Sequence, residues 1–354
     1  MNWKQKGALR ELLRITGTVL FALLIGFIIT VIVSEEPVKA FQAFLFGPLT
    51  KINRFGSWIE ESITLTFVGL AICIVFKAEQ FSLGVEGQLY MGALAAGLVG
   101  LFVPLPHVFH VAVAMIAAAA AGFLWGLIPG ALKAYLNANE LVSSLMLNTI
   151  AIKFYNLLLT NWLKPPTAGY IVSDYLMDTA LLARLIPRTR VTSALYLAIA
   201  AVVAVYWLMY RTPFGYALRT TGVNIDFARY GGINTKRTIV LSMAVSGILA
   251  GLAGAEMAMG IHKKLIMNIS MGMGFEGIVV SLLARNNPLA VPVAALFYGY
   301  LRAGADVMER TSDVTRELVL VIQAIIILLV TAESFLAFMR RRAARKREVS
   351  EDVV

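Results

Sequence analysis

Charge and cysteine are both scarce in this chain. Only 15% of its residues are Asp, Glu, Lys or Arg, and its single cysteine, Cys73, stands in an apolar run. One cysteine cannot form an intramolecular disulfide, so cysteine usage says nothing about redox compartment. The three histidines, His107, His110 and His262, lie near the ends of apolar runs without ligand-like clustering, and no metal site is expected. No G-x-x-x-x-G-K-[ST] loop occurs, which excludes a recognisable ATP-hydrolysing module within the chain. No G-x-S-x-G elbow stands out and no nucleophile is paired with a base, so no catalytic residue is expected and the chain does not read as an enzyme.

What is abundant is hydrocarbon. Of the 354 residues 59% are hydrophobic, and the mean hydropathy is +0.76. That balance predicts an all-α, polytopic membrane protein. The net charge of +10 does not point to nucleic acid, because the cations cluster at topological positions. They stand at the N-terminus (Lys4, Lys6, Arg10, Arg14), in a central loop, and in a tail from Arg341 to Val354 that includes Arg342, Arg345, Lys346 and Arg347. Both termini are therefore expected in the cytoplasm. The first apolar run, from Ile15 to Val33, is too long for a signal-peptide core and is taken as a span.

The central loop, Arg211 to Arg237, divides the chain. Arg211, Arg219, Arg229, Lys236 and Arg237 there outnumber one acid, Asp226, and apolar spans of about twenty residues flank it. Phe214, Ala217 and Leu218, then Asn224, Ile225, Phe227, Ala228 and Tyr230 before Gly231-Gly232, suggest one or two short amphipathic helices on the membrane surface. The loop is either a solvated basic connection or a docking element for a cytoplasmic partner.

About ten spans fit the apolar pattern. After a mixed, external segment through Glu61, a short span from Ser62 to Phe76 runs into KAEQFSLGVEGQLYMG, whose polar residues and glycines suggest a broken helix rather than two full spans. A second interruption, SMGMGFEGIVVSLLARNNPLAVPV, follows span 7. Spans 2–5 and 7–10 would then enter from opposite sides as an inverted repeat, and interrupted helices in corresponding halves point to a midplane binding site. Gly122, Gly126 and Gly130, and Gly247, Gly251 and Ala255, recur four apart and predict close-packing faces. Residues 161–192 read as a long outer loop.

The polar residues at depth are Glu86, Gln88, Asn148, Glu276, Asn286 and Asn287. Such groups are costly in hydrocarbon and face a bundle interior or an aqueous cavity, or else satisfy freed backbone groups. Phe81, Tyr90, Phe275, Phe297 and Tyr298 lie near the breaks, where they could stack on a flat ligand or simply pack.

Four stretches together carry a resemblance: FSLGVEGQLYMGA, NANELVSSLMLNTIA, GYALRTTGVNIDFARYGGI followed by SGILAGLAGAEMAMG, and GFEGIVVSLLARNNPLAVPVAALFYG. They resemble, in order and over nearly the whole chain, permease subunits of bacterial ABC importers of the ribose and branched-chain amino-acid type. The nucleoside branch is the most similar, although Ser82-Leu83-Gly84-Val85 stands where that branch has Asn-Ile-Gly-Ala.

The resemblance implies a multi-pass protein of the bacterial cytoplasmic membrane, residues 1–340 forming one permease domain, with nucleosides as cargo. It implies a cytoplasmic ATPase subunit that uses ATP and Mg, a second, related permease completing a heterodimer, and an external substrate-binding lipoprotein. The chain itself would hold no cofactor. The central loop would be the coupling element, with Arg219, Asn224, Arg229, Tyr230 and Gly231 as its key residues. Glu86, Gln88, Asn148, Phe275 and Glu276 would line the substrate pathway. The same machine could carry ribose, galactose or riboflavin. An ATP-independent secondary transporter would also show broken helices, but would not need a docking loop.

Overall fold

The computed structural model describes residue 17 and residues 20–32, 34–166 and 168–329. The N-terminal cations, the start of the first span and the tail from Arg341 lie outside the described residues. Helices dominate, in this order: α1 (Leu20–Ile32), α2 (Pro37–Phe46), α3 (Ile52–Lys77), α4 (Val85–Phe102), α5 (His107–Leu136) and α6 (Glu140–Leu158). Then come α7 (Ala194–Arg211), α8 (Pro213–Val223), α9 (Ile225–Tyr230), α10 (Thr235–Glu256), α11 (Met273–Leu283), α12 (Val291–Thr311) and α13 (316–329). Short π-helical turns extend α6 to Leu163 and α10 to His262. Six of these helices, α3 to α7 and α10, are long and apolar enough to cross a membrane.

Two units are distinguished, Gly56–Leu296 and the pair of terminal segments Met1–Phe55 and Phe297–Val354. In the terminal unit, Gly26 of α1 faces Ile322 and Ile326 of α13, and Gly304 of α12 meets the backbone of Phe44 in α2. The Ser34 hydroxyl and the Glu35 N–H both donate to Asp313, at 2.6 and 2.7 Å, which ties the start of α2 to the end of α12.

The larger unit is built on α10, which α4 and α5 both pack against. The helices meet backbone to backbone. A methyl group added at Gly122 would overlap the carbonyl oxygen of Gly247, one at Gly251 would overlap that of Ala118, and one at Gly92 would overlap Gly251 itself. The two glycine faces expected from the sequence are thus each other's partners. In lipid, where apolar side chains gain little by leaving one hydrocarbon for another, such close approach is what holds helices together.

Two expectations are corrected. The second span does not start at Ser62, because α3 starts at Ile52 and runs for 26 residues. The first interruption is therefore not a helix broken into halves: α3 and α4 are both of spanning length, joined by a loop over residues 78–84. The second interruption does contain a short helix, the 11-residue α11. The long loop at residues 161–192 is also more ordered than a connection. It contributes β1 (Val172–Tyr175), which pairs antiparallel with β2 (Lys264–Ile266). Lys264 Nζ donates to the Tyr170 hydroxyl at 2.8 Å and lies over the Tyr175 ring, and that hydrogen bond holds its pKa above the ordinary lysine value.

Packing this tight makes a prediction. Gly122→Val or Gly251→Leu forces α5 off α10, an overpacking cost of at least ~1–3 kcal/mol. In thermal-shift size-exclusion runs of the purified complex both should lower the melting temperature by several degrees or abolish assembly. Gly169→Ala, at a position with open space around it, should match the wild type.

Candidate functional site: a buried polar junction and a helical surface loop

In the loop over residues 78–84 the N–H groups of Ala78, Glu79 and Gln80 still bond to carbonyls at the end of α3, but the backbone around Leu83 leaves the helix and needs other partners. Helix α6 does so with two side chains. Asn148, only 3% exposed, donates from Nδ2 to the Leu83 carbonyl at 2.8 Å, while its Oδ1 accepts the Gly87 N–H at 2.8 Å. Ser144 Oγ accepts the Leu83 N–H at 3.1 Å and donates to the Glu140 carbonyl. Asn148 lies about 12 Å along α6 from Glu140, and holds the buried first turn of α4, while Glu79 and Phe81 of the loop remain exposed.

One turn later, Glu86 reaches the other interruption. Its Oε2 accepts the Gly274 N–H at 2.7 Å, at the first turn of α11. A methyl group at Gly274 would collide with this carboxylate. A carboxylate at a helix N-terminus satisfies an orphan donor and complements the helix dipole. Glu276 stands in the same first turn, half-buried, and Phe275 beside it is exposed. Two motifs 188 residues apart thus meet at one point.

The other sequence candidates have more ordinary surroundings. Gln88 is buried and donates from Nε2 to the Met243 carbonyl of α10 at 3.4 Å, inside the helix seam. Asn286 accepts from the Ser281 hydroxyl at 2.9 Å, and Asn287 caps the turn that follows. Phe81 packs on Phe76, and Tyr90 lies edge-on to Tyr155. Asn148, Gln88 and Glu86 therefore spend polar atoms on the protein's own backbone, while Phe275 is exposed and Glu276 half-buried.

The central loop forms two helices, as its periodicity predicts. Thr212 caps α8 by accepting the Gly215 N–H at 3.1 Å. Asn224 caps α9 by accepting the N–H groups of Asp226 and Phe227 at 3.0 Å, a contribution of about 1 kcal/mol. Arg219 lies over the Tyr210 ring at 5.1 Å. Arg229 donates from Nε to Thr235 Oγ1 at 3.3 Å, and pairs with Asp226 at 3.6 Å on the exposed surface. Gly231 has an ordinary backbone with room around it, and the residue that needs glycine is Gly232, at φ +79°.

Against this rigid base, Val223, Phe227 and Tyr230 are 86%, 65% and 93% exposed. Three large apolar side chains on one short loop are an exposed contact surface that no other described residue covers. The loop is also fixed to the junction. Gly222 of α8 sits directly on the backbone of Lys77 and Ala78, where a Cβ would overlap the Lys77 carbonyl oxygen. The α8 helix therefore packs on the end of α3 and on the start of the loop that Asn148 and Ser144 hold at Leu83.

Sequence reasoning missed one buried polar cluster. Thr64 Oγ1 of α3 donates to Glu256 Oε2 of α10 at 2.5 Å, and Glu60 lies one turn away on α3, also buried. The signal was available: Glu256 interrupts the apolar run AGAEMAMG, and an acid at that depth asks for a partner.

Six helices long and apolar enough to cross a membrane, a buried polar junction between α4, α6 and α11, and a surface loop with an apolar tip describe a polytopic helical membrane protein. Residues 55–331 match the model of the branched-chain amino acid transport system / permease component family. The chain belongs to that family, whose members are transport components rather than ATPases. It is 32% identical to the guanosine ABC transporter permease protein NupP of Bacillus subtilis, over 93% of this chain and 95% of that protein. It is 33% identical to the glucose ABC transporter permease protein TsgB13 of Haloferax volcanii, over 92% and 90%. It is 28% identical to the nucleoside ABC transporter permease protein NupB of Lactococcus lactis, over 97% and 96%. No solved structure matches the chain.

The junction yields a prediction. Asn148→Leu leaves the Gly87 N–H and the Leu83 carbonyl buried and unpaired, a cost of ~1–3 kcal/mol for each. The thermal midpoint of the complex should fall by several degrees. Glu86→Gln keeps an acceptor for Gly274 and should fall less than Glu86→Ala in the same measurement.

Proposed function

We propose that this chain is the membrane-spanning permease subunit of an ABC importer that moves nucleosides across the cytoplasmic membrane by alternating access. Separate ATPase subunits, using ATP and Mg, would drive it. The observation that carries this reading is the α8–α9 loop. Its tip is apolar and exposed, while its base is set on the backbone of Lys77 and Ala78. A stand-alone carrier has no use for such a loop. The cargo follows the relatives named for guanosine and nucleosides. The relative named for glucose supports a simple sugar as the second reading.

In this proposal Val223, Phe227 and Tyr230 insert into the ATPase subunit, and Arg219, Asn224, Arg229 and Gly231 hold the loop that presents them. Phe275 and Glu276 face the cargo, Glu86 fixes the start of α11 behind them, and Gln88 and Asn148 keep the surrounding backbone rigid. The pathway is completed by a second, related permease, and cargo arrives from an external substrate-binding lipoprotein. Residues 1–340 form one permease domain of about ten spans, with spans 2–5 and 7–10 as inverted halves and both termini in the cytoplasm.

The test is uptake of radiolabelled nucleosides by liposomes carrying the permeases, the ATPase and the binding protein, with unlabelled ribose, glucose and riboflavin as competitors. ATP-dependent uptake displaced by other nucleosides and by none of the competitors is the expected result. Displacement by glucose or ribose would transfer the cargo to the sugar reading, and uptake indifferent to ATP would overturn the importer. Within the same assay Tyr230→Ala, a truncation at an interface anchor, should weaken ATPase association by about 2 kcal/mol or roughly thirtyfold. Arg229→Glu, which breaks the tie to Thr235, should lower uptake with ATP hydrolysis retained.

A further inference from the structure

Helix α7 leads through the tight Thr212 turn straight into the docking loop, so whatever lies behind α7 bears on that loop. Behind it runs a groove of about 440 Å³, between α5, α7 and α10 at the end away from the docking loop. Ten of its eleven lining residues are apolar, among them Ala112 and Met115 of α5, Leu197 of α7 and Leu252 of α10. The one polar residue is Ser193, at the start of α7.

Three physical arguments limit what can fill it. A polar cargo would find almost nothing to hydrogen-bond, so the groove is not the transport pathway. Water is not stable there either, since a buried water needs two to four polar partners. The outward residues beside the groove, Val108 and Ile116 on α5 and Ile199 and Val203 on α7, are large, apolar and exposed on helices of spanning length. The groove is therefore continuous with a surface that hydrocarbon covers. With a methylene taken as roughly the size of a water, about 30 Å³, its volume holds about fifteen such groups, the length of one acyl chain.

The mouth of the groove adds a second, independent feature. The Ser193 N–H donates to the Ala183 carbonyl at 2.9 Å, and Arg184 is bridged to Thr192. Arg184 is thus one residue from the lip, Arg190 is three residues before Ser193, and both are exposed. Cations at this level suit a phosphate headgroup, which an arginine fork binds in bidentate fashion.

We infer that the α5–α7–α10 groove is a phospholipid site: it takes one acyl chain of an anionic phospholipid from the leaflet opposite the docking loop, with Arg184 and Arg190 at the headgroup. The bound chain packs behind α7 and supports the helix that carries the docking loop. The inference is independent of the cargo.

The experiment uses the assembled transporter in nanodiscs and a phosphatidylglycerol with a diazirine on one acyl chain, alongside the matching phosphatidylcholine probe. After photolysis the labelled peptides are mapped by mass spectrometry. Labelling concentrated on residues 107–119 and 194–203, and at least threefold stronger for phosphatidylglycerol, is the expected result. Ala112→Trp, which fills the groove from an exposed position, should reduce that labelling at least fivefold. Arg184→Glu with Arg190→Glu should abolish the headgroup preference and leave the labelled peptides unchanged. Labelling spread evenly over every lipid-facing helix would overturn the site, and equal labelling by the two probes would overturn the headgroup assignment. A cysteine at Ala112 that cross-links to the second permease would show the groove to be covered by protein, and would also overturn it. If Ala112→Trp does not assemble, the wild-type map and the charge-reversed variant decide between these outcomes.

Discussion

The contact that the rest of the larger unit depends on is the close approach of α10 to α4 and α5 through glycine. Lipid provides no hydrophobic penalty for helices that stay apart, so cohesion must come from dispersion between surfaces in contact and from polar groups that find partners. Gly92, Gly122, Gly247 and Gly251 remove the side chains that would otherwise hold the axes apart. Once α10 is clamped in this way, the elements at its two ends are placed as well. One end carries the docking loop, and the other carries β2.

Polar groups do the second part of the work, at few places. A loop inside a membrane protein is tolerated only where its backbone is satisfied. Asn148 satisfies one donor and one acceptor on either side of the start of α4, and Glu86 satisfies the first turn of α11. The Thr64–Glu256 pair ties α3 to α10 by the same logic. These are stiff junctions, since moving any of them strands a buried polar group. Gly222 of α8 packs on the backbone of Lys77 and Ala78, at the start of the loop whose far end Asn148 holds.

Much of this was legible in the sequence, and for identifiable reasons. The α8–α9 loop announced itself because Arg219 to Tyr230 is polar yet helically periodic between two apolar runs. The glycine faces of α5 and α10 were visible because spacing by four is a property of one helix. The start of α3 was misplaced because Glu60 and Glu61 look like the edge of a membrane span, whereas burial among neighbouring helices lets the helix continue past them. The β1–β2 pair was invisible for another reason. Its strands are four and three residues long and lie about ninety residues apart, too short and too distant for alternation to register.

The sequence by itself determined the class of the protein, the helical content, the side-chain supply at each depth and the existence of a helical central loop, because each is written in composition or in a period of a few residues. Only the tertiary structure decided which face meets which. That Gly122 belongs against Gly247, that Asn148 serves the backbone around Gly87, and that Glu86 caps α11 depend on distances between segments more than sixty residues apart. No local pattern encodes such pairings, since any close-packing face could meet any other and any buried amide could serve any orphaned carbonyl. The choice is made by the one arrangement in which all of them are satisfied together.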